Sequence, residues 1–181
     1  MSRSTTTPPT RVSNAHRPMS RAVSAAGVML VLAGCAGYSP GNMQTGASEA
    51  EVRSRMGEPT GRAALPGGGT RIEYARGPMG KHTYIIELDA SGRVRGWEQV
   101  LTEANFESIP IGAPQADVRW RLGRPSETRV GWRGVGEVWS YRYESLFCRW
   151  FQVWLVDGSV REAAYAIDPM CDDHRPFSSP A

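Results

Sequence analysis

The chain has 181 residues, which is enough for one domain of ordinary size or for two small ones. Its net charge of +3 comes from the N-terminal segment, where four arginines and no acidic residue precede Cys35. The remainder has 17 basic and 18 acidic residues, so it lacks the basic surface that nucleic-acid binding requires, and we expect no nucleic acid as a partner.

An export signal is predicted at the N-terminus. Residues 22–32 form an 11-residue stretch that is apolar apart from one serine, with Arg21 directly before it. This is shorter than the roughly 20 residues that span a bilayer, and it is typical of a signal-peptide hydrophobic region. The stretch ends in Leu32-Ala33-Gly34-Cys35, which resembles a lipobox. We therefore expect a lipoprotein signal peptide over residues 1–34 and a lipid on Cys35; the alternative is an ordinary secretory signal with an incidental cysteine.

The residues after the cysteine favour the outer membrane. Position 36 is Ala36, not the aspartate that retains lipoproteins in the inner membrane in the well-studied sorting system. Little in the following residues can be buried, so we expect residues 35–45 to form a lipidated tether. The predicted location is the cell outer membrane, with the chain lipid-anchored and facing the periplasm.

An internal repeat divides the remaining chain into two modules. Residues 46–59 and 112–125 are identical at 8 of 14 positions, with a constant offset of 66. This period is too long for a common solenoid repeat, so we expect two compact units side by side. We place module 1 at residues 46–101, module 2 at residues 102–171 and a flexible tail at residues 172–181.

Each module is predicted to begin with a short helix and to continue as an antiparallel meander. Ser48 and Glu51 have the spacing of a capping box, and Gly57 is expected to end the helix in a left-handed conformation. Residues 102–108 predict another short helix. Alternating apolar residues predict three strands in each module, near residues 70–76, 82–89 and 93–101 in the first and 137–145, 149–156 and 159–167 in the second.

A disulfide between Cys148 and Cys171 is predicted. They are the two thiols that remain once Cys35 is lipidated, in an oxidising compartment. A hairpin that turns at Asp157-Gly158 brings Cys148 opposite a position near 167, and Pro169 lets the chain fold back. The alternative is a pair of unpaired small apolar residues.

The repeat motif resembles the SmpA/OmlA (BamE-like) family. The resemblance covers residues 46–168 and is carried best by module 2, at Gly112, Val118, Leu122, Gly123, Pro125, Trp139 and Tyr141. In module 1, Met56 replaces the leucine and Glu73 lies close to the position of the aromatic residue. The resemblance implies an α+β fold with short helices on a three-stranded antiparallel sheet in each module. Two tandem modules are a departure, and they are also similar to β-lactamase inhibitor proteins, whose paired modules form a concave sheet that grips another protein.

The resemblance also implies a function without catalysis. Members of the family are outer-membrane lipoproteins that support β-barrel assembly, so we expect envelope proteins, including components of that machinery, as partners and the membrane as a second partner through the lipid. The alternative is a periplasmic inhibitor or sensor that binds a soluble enzyme. The sequence has no nucleophile elbow, zinc-protease motif or phosphate-binding loop, so we expect no enzyme activity, cofactor or metal.

Tryptophans are the candidate partner-binding residues. Trp150 and Trp154 alternate with apolar residues on one predicted strand and therefore share the face that is turned away from the helices. Trp120 lies between two arginines on the second module's helix. An exposed, tryptophan-rich sheet face is typical of a protein-binding surface. The alternative is that the two modules bury these rings between themselves.

Overall fold

The computed structural model describes residues 37–174 and shows an α+β protein with two tandem modules. The helices are α1 (Glu49–Met56) in module 1 and α2 (Glu103–Glu107) and α3 (Gln115–Leu122) in module 2, with single 3₁₀ turns at Trp132–Gly134 and Pro169–His174. Sheet 1 consists of β1 (Gly61–Ala64), β2 (Thr70–Ala75), β3 (Thr83–Leu88) and β4 (Val94–Gln99). Sheet 2 consists of β5 (Glu127–Val130), β6 (Glu137–Arg142), β7 (Arg149–Val156) and β8 (Ser159–Ile167).

Each sheet has four strands in sequential order, all antiparallel, so the prediction of three strands per module is wrong. The missed strands, β1 and β5, are four residues long and have the sequences GRAA and ETRV, without an apolar alternation. Each lies at a sheet edge and is defined by backbone pairing with the next strand rather than by its own side chains.

Local signals account for the helix ends. Ser48 caps α1, and the Glu51 side chain accepts a hydrogen bond from the Ser48 backbone N–H, so the predicted capping box is confirmed. The helix predicted over residues 102–108 forms as α2, and Thr102 is its N-cap residue. Gly57 has φ 81° and ψ −161°, so the predicted left-handed C-cap is wrong in its ψ angle. The positive φ still favours glycine, but the extended ψ leads the chain directly towards Pro59.

The two modules repeat the same structure with a one-residue shift in the sheets. Tyr74 donates a hydrogen bond from its hydroxyl to the Gly57 carbonyl oxygen (3.1 Å), and Tyr141 donates equivalently to that of Gly123 (3.3 Å). These tyrosines are 67 residues apart, whereas the helices repeat at 66, because the loop before β6 is one residue longer than the loop before β2. Glu73 is therefore not the counterpart of the family aromatic residue, and it points to the opposite face of the sheet.

The helices and sheets alternate in four layers within one compact unit. We call the face of each sheet that packs on its own module's helices the inner face, and the opposite face the outer face. Helix α1 packs on the inner face of sheet 1, around Val52, Met56 and Tyr74. Helices α2 and α3 pack on the inner face of sheet 2, and Ile85 from the outer face of sheet 1 joins the same core. The order is thus α1, sheet 1, α2 with α3, sheet 2.

The segment that was expected to be a tether is docked on module 1 from residue 37 onwards. The Gly37 N–H donates to the Arg55 carbonyl oxygen (2.5 Å), and Arg76 donates to the carbonyl oxygens of Gly37 and Tyr38 (both 2.8 Å). Met43 is buried in the core of module 1. The expectation of a free tether over 35–45 is therefore corrected for residues 37–44, because their backbone and Met43 find partners on the module.

The ends of the chain lie outside the described residues. These include the predicted signal peptide (1–34), Cys35 and residues 175–181 of the predicted tail. Residues 172–174 close the 3₁₀ turn, so the tail does not begin at 172 as expected. Within residues 37–174, no helix has the length and apolar character needed to cross a membrane.

Candidate functional site

The outer face of sheet 2 differs from the other sheet faces because no α-helix of the described residues packs on it. The inner faces carry the module helices, and α3 also lies against the outer face of sheet 1, where Arg119 bonds Glu73. Strand register places Val138, Ser140 and Arg142 of β6 on the outer face of sheet 2, beside Trp154, Gln152 and Trp150 of β7. This is the face to which sequence analysis assigned Trp150 and Trp154.

Trp150 lies on this face but is buried, with 1% of its surface exposed. The guanidinium groups of Arg129 and Arg142 lie 5.2 and 5.1 Å from the centre of its ring. Arginine side chains from β5 and β6 therefore cover the indole and add cation–π attraction. The prediction that Trp150 contacts a partner directly is therefore wrong. Its ring belongs to the core, but it is covered by side chains of its own module and not buried between the two modules, which was the alternative.

Arg142 closes this end of the face. Its side chain is buried and makes a bidentate pair with Asp168, with Nε at 2.7 Å and Nη2 at 3.2 Å from the carboxylate oxygens. Its Nη1 donates to the Pro78 carbonyl oxygen of module 1 at 2.8 Å. A buried guanidinium needs such partners because an unpaired buried charge is strongly destabilising. Arg142 therefore joins β6, the end of β8 and the β2–β3 loop.

An aromatic groove lies at the opposite end of the face. Trp154 is half-buried between its cross-strand neighbours Val138 and Glu162, and its indole N–H donates to the Val135 carbonyl oxygen at 2.9 Å. Trp132, in the loop between β5 and β6, overhangs the same groove and is 67% exposed. The groove has a volume of about 370 Å³ and is lined by Trp132, Val138, Gln152, Trp154, Glu162 and Ala164.

Trp132 was missed by sequence analysis. It lies outside any strand, within the sequence Gly131-Trp132-Arg133-Gly134, so no alternation pattern marks it. A tryptophan between glycines is itself an informative signal, because such a segment offers a large ring little to pack against. The structure therefore places Trp132 beside Trp154 in one groove, where the sequence analysis had paired Trp154 with Trp150.

Trp120 lies elsewhere, on the side of α3 that faces sheet 1. It is 41% exposed, and the guanidinium of Arg71 stacks on its ring at 4.3 Å while also donating to its carbonyl oxygen. Desolvation in this contact lowers the pKa of Arg71. Trp120 thus contributes to the junction of the modules and does not share a surface with Trp154.

The same junction holds a buried carboxylate. Glu73 accepts a hydrogen bond from Arg119 Nη1 at 2.6 Å and from the Arg124 backbone N–H at 2.9 Å. Gly123 lies against it, and a side chain at that position would collide with Thr83 and Glu73. The sheet of module 1 and the helix end of module 2 are therefore fitted closely to each other. Sequence analysis did not identify this contact, because Glu73 was aligned with an aromatic position.

The predicted disulfide is confirmed. Cys148 and Cys171 are bonded, with their Cα atoms 6.2 Å apart. The Asp168 N–H donates to the Cys148 carbonyl oxygen at 2.9 Å, which brings the end of β8 beside Cys148 as the hairpin register predicted. The 3₁₀ turn at Pro169–His174 then carries Cys171 back to the sheet.

No group of three or more potential metal ligands is found within residues 37–174. The ring of His82 lies 3.0 Å from the Tyr38 hydroxyl and stacks on Tyr84, in contact with the docked N-terminal segment. Burial raises the pKa of the Tyr84 phenol.

The described residues thus form an α+β protein with two tandem helix-and-sheet modules. No protein-family model matches the chain. No curated protein matches it. Among solved structures, it is similar to a candidate β-lactamase inhibitor protein from Streptococcus mutans, with 13% identity and a TM-score of 0.30, over 72% of this chain and 89% of the other. A TM-score of that size does not establish a common fold or function.

Proposed function

We propose that this protein is a two-module lipoprotein of the SmpA/OmlA type, anchored in the bacterial outer membrane through Cys35 and facing the periplasm. In this proposal it has no catalytic activity. It supports β-barrel assembly and envelope integrity by binding another envelope protein with the outer face of sheet 2. The lipobox sequence supports the anchor, and the repeat motif with its Gly112, Val118 and Leu122 supports the family.

The observation that carries the binding role is the aromatic groove on a sheet face that no α-helix within residues 37–174 covers. Trp132 and Trp154 contribute two indole rings, and Gln152 and Glu162 supply polar groups beside them. Indoles that are partly exposed around a groove bury a large apolar area on binding. At the other end of the face, Trp150 and Arg142 are buried, so the accessible indoles are confined to the groove.

The same layering argues against the alternative of a clamp-like inhibitor. That class was expected to offer one concave sheet built from both modules. Here the strands form two separate four-stranded sheets, and α3 lies against the outer face of sheet 1. Sheet 1 therefore has no open face to add to a shared concave surface.

The test is recovery of partners with the full-length lipidated protein after gentle detergent extraction. We compare wild type with the double variant Trp132→Ser/Trp154→Ser. The matched control is Trp97→Ser, because Trp97 is also partly exposed (39%) but lies on module 1. Thermal melting of each purified variant verifies that the fold is intact.

We expect components of the β-barrel assembly machinery to bind the wild type and the control, and to be reduced at least tenfold with the double variant, the loss of about 1.4 kcal/mol of binding free energy. Direct binding measurements with the purified component should give equal affinity for the wild type and the control and weaker affinity for the double variant. A soluble hydrolase as the main partner would instead favour the inhibitor. Equal binding by all three proteins would refute the site. Separately, labelled palmitate should enter the wild type but not Cys35→Ser, and equal labelling would refute the anchor.

A further inference from the structure

We infer that the loop end of sheet 2 contacts the membrane beside the lipid anchor and inserts apolar side chains into it. We call this region the loop-end surface and define it by Leu146 and Phe147 of the β6–β7 loop, Ile167 at the end of β8 and Met79 of the β2–β3 loop. The inference rests on the proposed lipidation of Cys35. It assigns the lipid surface to a different part of the molecule from the groove that is proposed to bind protein.

The first observation is the extreme exposure of adjacent apolar residues. Leu146 is 97% exposed and Phe147 is 73% exposed, side by side at a loop tip. Ile167 and Met79 are exposed as well. Single exposed apolar residues are ordinary, but a group at one end of a molecule marks a surface that is covered in function.

The second observation is that the loop is held in this position. Cys148 directly follows Phe147 and is bonded to Cys171, while its carbonyl oxygen accepts from the Asp168 N–H. The disulfide and the hydrogen bond join the base of the loop to the end of β8. Leu146 and Phe147 are therefore presented outwards from a fixed base instead of folding back onto the sheet.

The third observation is the short distance to the anchor. Because the chain is docked from Gly37 onwards, only two residue steps separate the docked backbone from Cys35. Two steps span at most about 7 Å. A free tether over residues 35–45 would instead have allowed roughly 30 Å. A lipid on Cys35 therefore holds the surface around Gly37 close to the bilayer.

A continuous series of contacts leads from Gly37 to the loop-end surface. The carbonyl oxygen of Gly37 accepts from Arg76, at the start of the β2–β3 loop, and the Tyr38 hydroxyl lies 3.0 Å from His82 at its end. In the same loop, Lys81 Nζ lies 3.7 Å from Glu144 Oε2 of the β6–β7 loop. The anchor point and both loops therefore lie at the same end of the molecule.

The charges beside these loops indicate the kind of lipid contact. Lys81 pairs with Glu144, and Arg149, whose guanidinium lies 5.5 Å from the centre of the Phe147 ring, pairs with Glu103 at 3.3 Å. Since both of these cations have an acidic partner, attraction to anionic headgroups contributes little. The apolar side chains supply the affinity, so the contact should form equally on phosphatidylcholine and should be insensitive to salt.

The test is amide hydrogen exchange of the full-length lipidated protein on phosphatidylcholine vesicles, compared with soluble Cys35→Ser protein. We expect about tenfold slower exchange in a peptide covering residues 143–148 on vesicles, and no change in a peptide covering 131–136 at the opposite end of sheet 2. Leu146→Ser/Phe147→Ser should abolish that protection. The matched control Val130→Ser/Val135→Ser, which removes exposed apolar residues at the opposite end, should retain it.

Flotation of the same samples separates the two proposals. Wild type that does not float with vesicles would overturn the anchor and this inference with it. Wild type that floats but exchanges equally in residues 143–148 would overturn the inference alone. Protection that appears only when a purified protein partner is added would also overturn it, because the loops would then bind protein and not lipid.

Discussion

Replacing Glu73 by glutamine should destabilise both modules together, because this carboxylate on sheet 1 holds the helix end of module 2. Its side chain is 10% exposed and accepts charge-assisted bonds from Arg119 Nη1 and the Arg124 N–H. Hydrogen bonds to charged groups contribute about 1.5–3 kcal/mol. Arg119 is 36% exposed and regains water in the variant, so we take the lower part of this range, about 2 kcal/mol.

The assay is thermal and urea unfolding of the mature protein. A loss of about 2 kcal/mol corresponds to a fall in Tm of roughly 4–8 °C for a chain of this size. The matched control is Glu58→Gln. Arg53 in α1 has the same position in the repeat as Arg119 in α3. It pairs with Glu58 at the same distance of 2.6 Å, but this pair is exposed to solvent. Water screens an exposed pair of this kind, so its removal should change the stability much less.

Two results would refute this reasoning. If Glu73→Gln and Glu58→Gln change the free energy of unfolding equally, the pair at the junction is worth no more than a surface pair. If the variant melts in two separate transitions, the modules are independent units and their junction does not make them cooperative. We expect one transition, because α3 contributes to the contacts of both sheets.

Three further changes test other parts of the structure. Replacing Cys148 and Cys171 by serine should lower stability by about 3 kcal/mol on the chain-entropy estimate, and an unchanged urea midpoint would show the bridge to be dispensable. Ser48→Ala removes the cap of α1 and should cost about 1 kcal/mol in the same assay; a loss below 0.3 kcal/mol would mean that solvent replaces the cap. Trp150→Ser removes a buried ring and should cost about 3–5 kcal/mol, whereas a variant as stable as wild type would show that Arg129 and Arg142 do not enclose it.

Local signals in the sequence predicted much of the fold. The capping box of Ser48 and Glu51 and the turn at Asp157-Gly158 are formed as expected, since each depends on residues within a few positions of one another. The pairing of Cys148 with Cys171 followed from the register of one hairpin. Strands β1 and β5 could not be predicted in this way, because their hydrogen-bond partners and not their own side chains define them.

The candidate site was less predictable, because its features depend on residues brought together by the sheet. Alternation placed Trp150 and Trp154 correctly on one face, but the burial of Trp150 depends on Arg129 and Arg142 from two other strands. The role of Glu73 depends on Arg119, 46 residues away. Contacts of this kind require the register of the strands and the stacking of the modules, and no local pattern contains that information.

The stacking of the two modules has a consequence for how such a protein can grow. The helix of module 2 covers the outer face of the preceding sheet, so each unit joins the next head to tail, and an arrangement of this kind does not close on itself. Ser54 in α1 and Trp120 in α3 occupy the same repeat position, and among the described residues only the second has the sheet of another module beside it. The helices of the two modules therefore no longer have equivalent surroundings. Whatever the number of duplications, the last sheet in the series keeps one face without a following helix, and that terminal face is where selection can shape a surface for a partner.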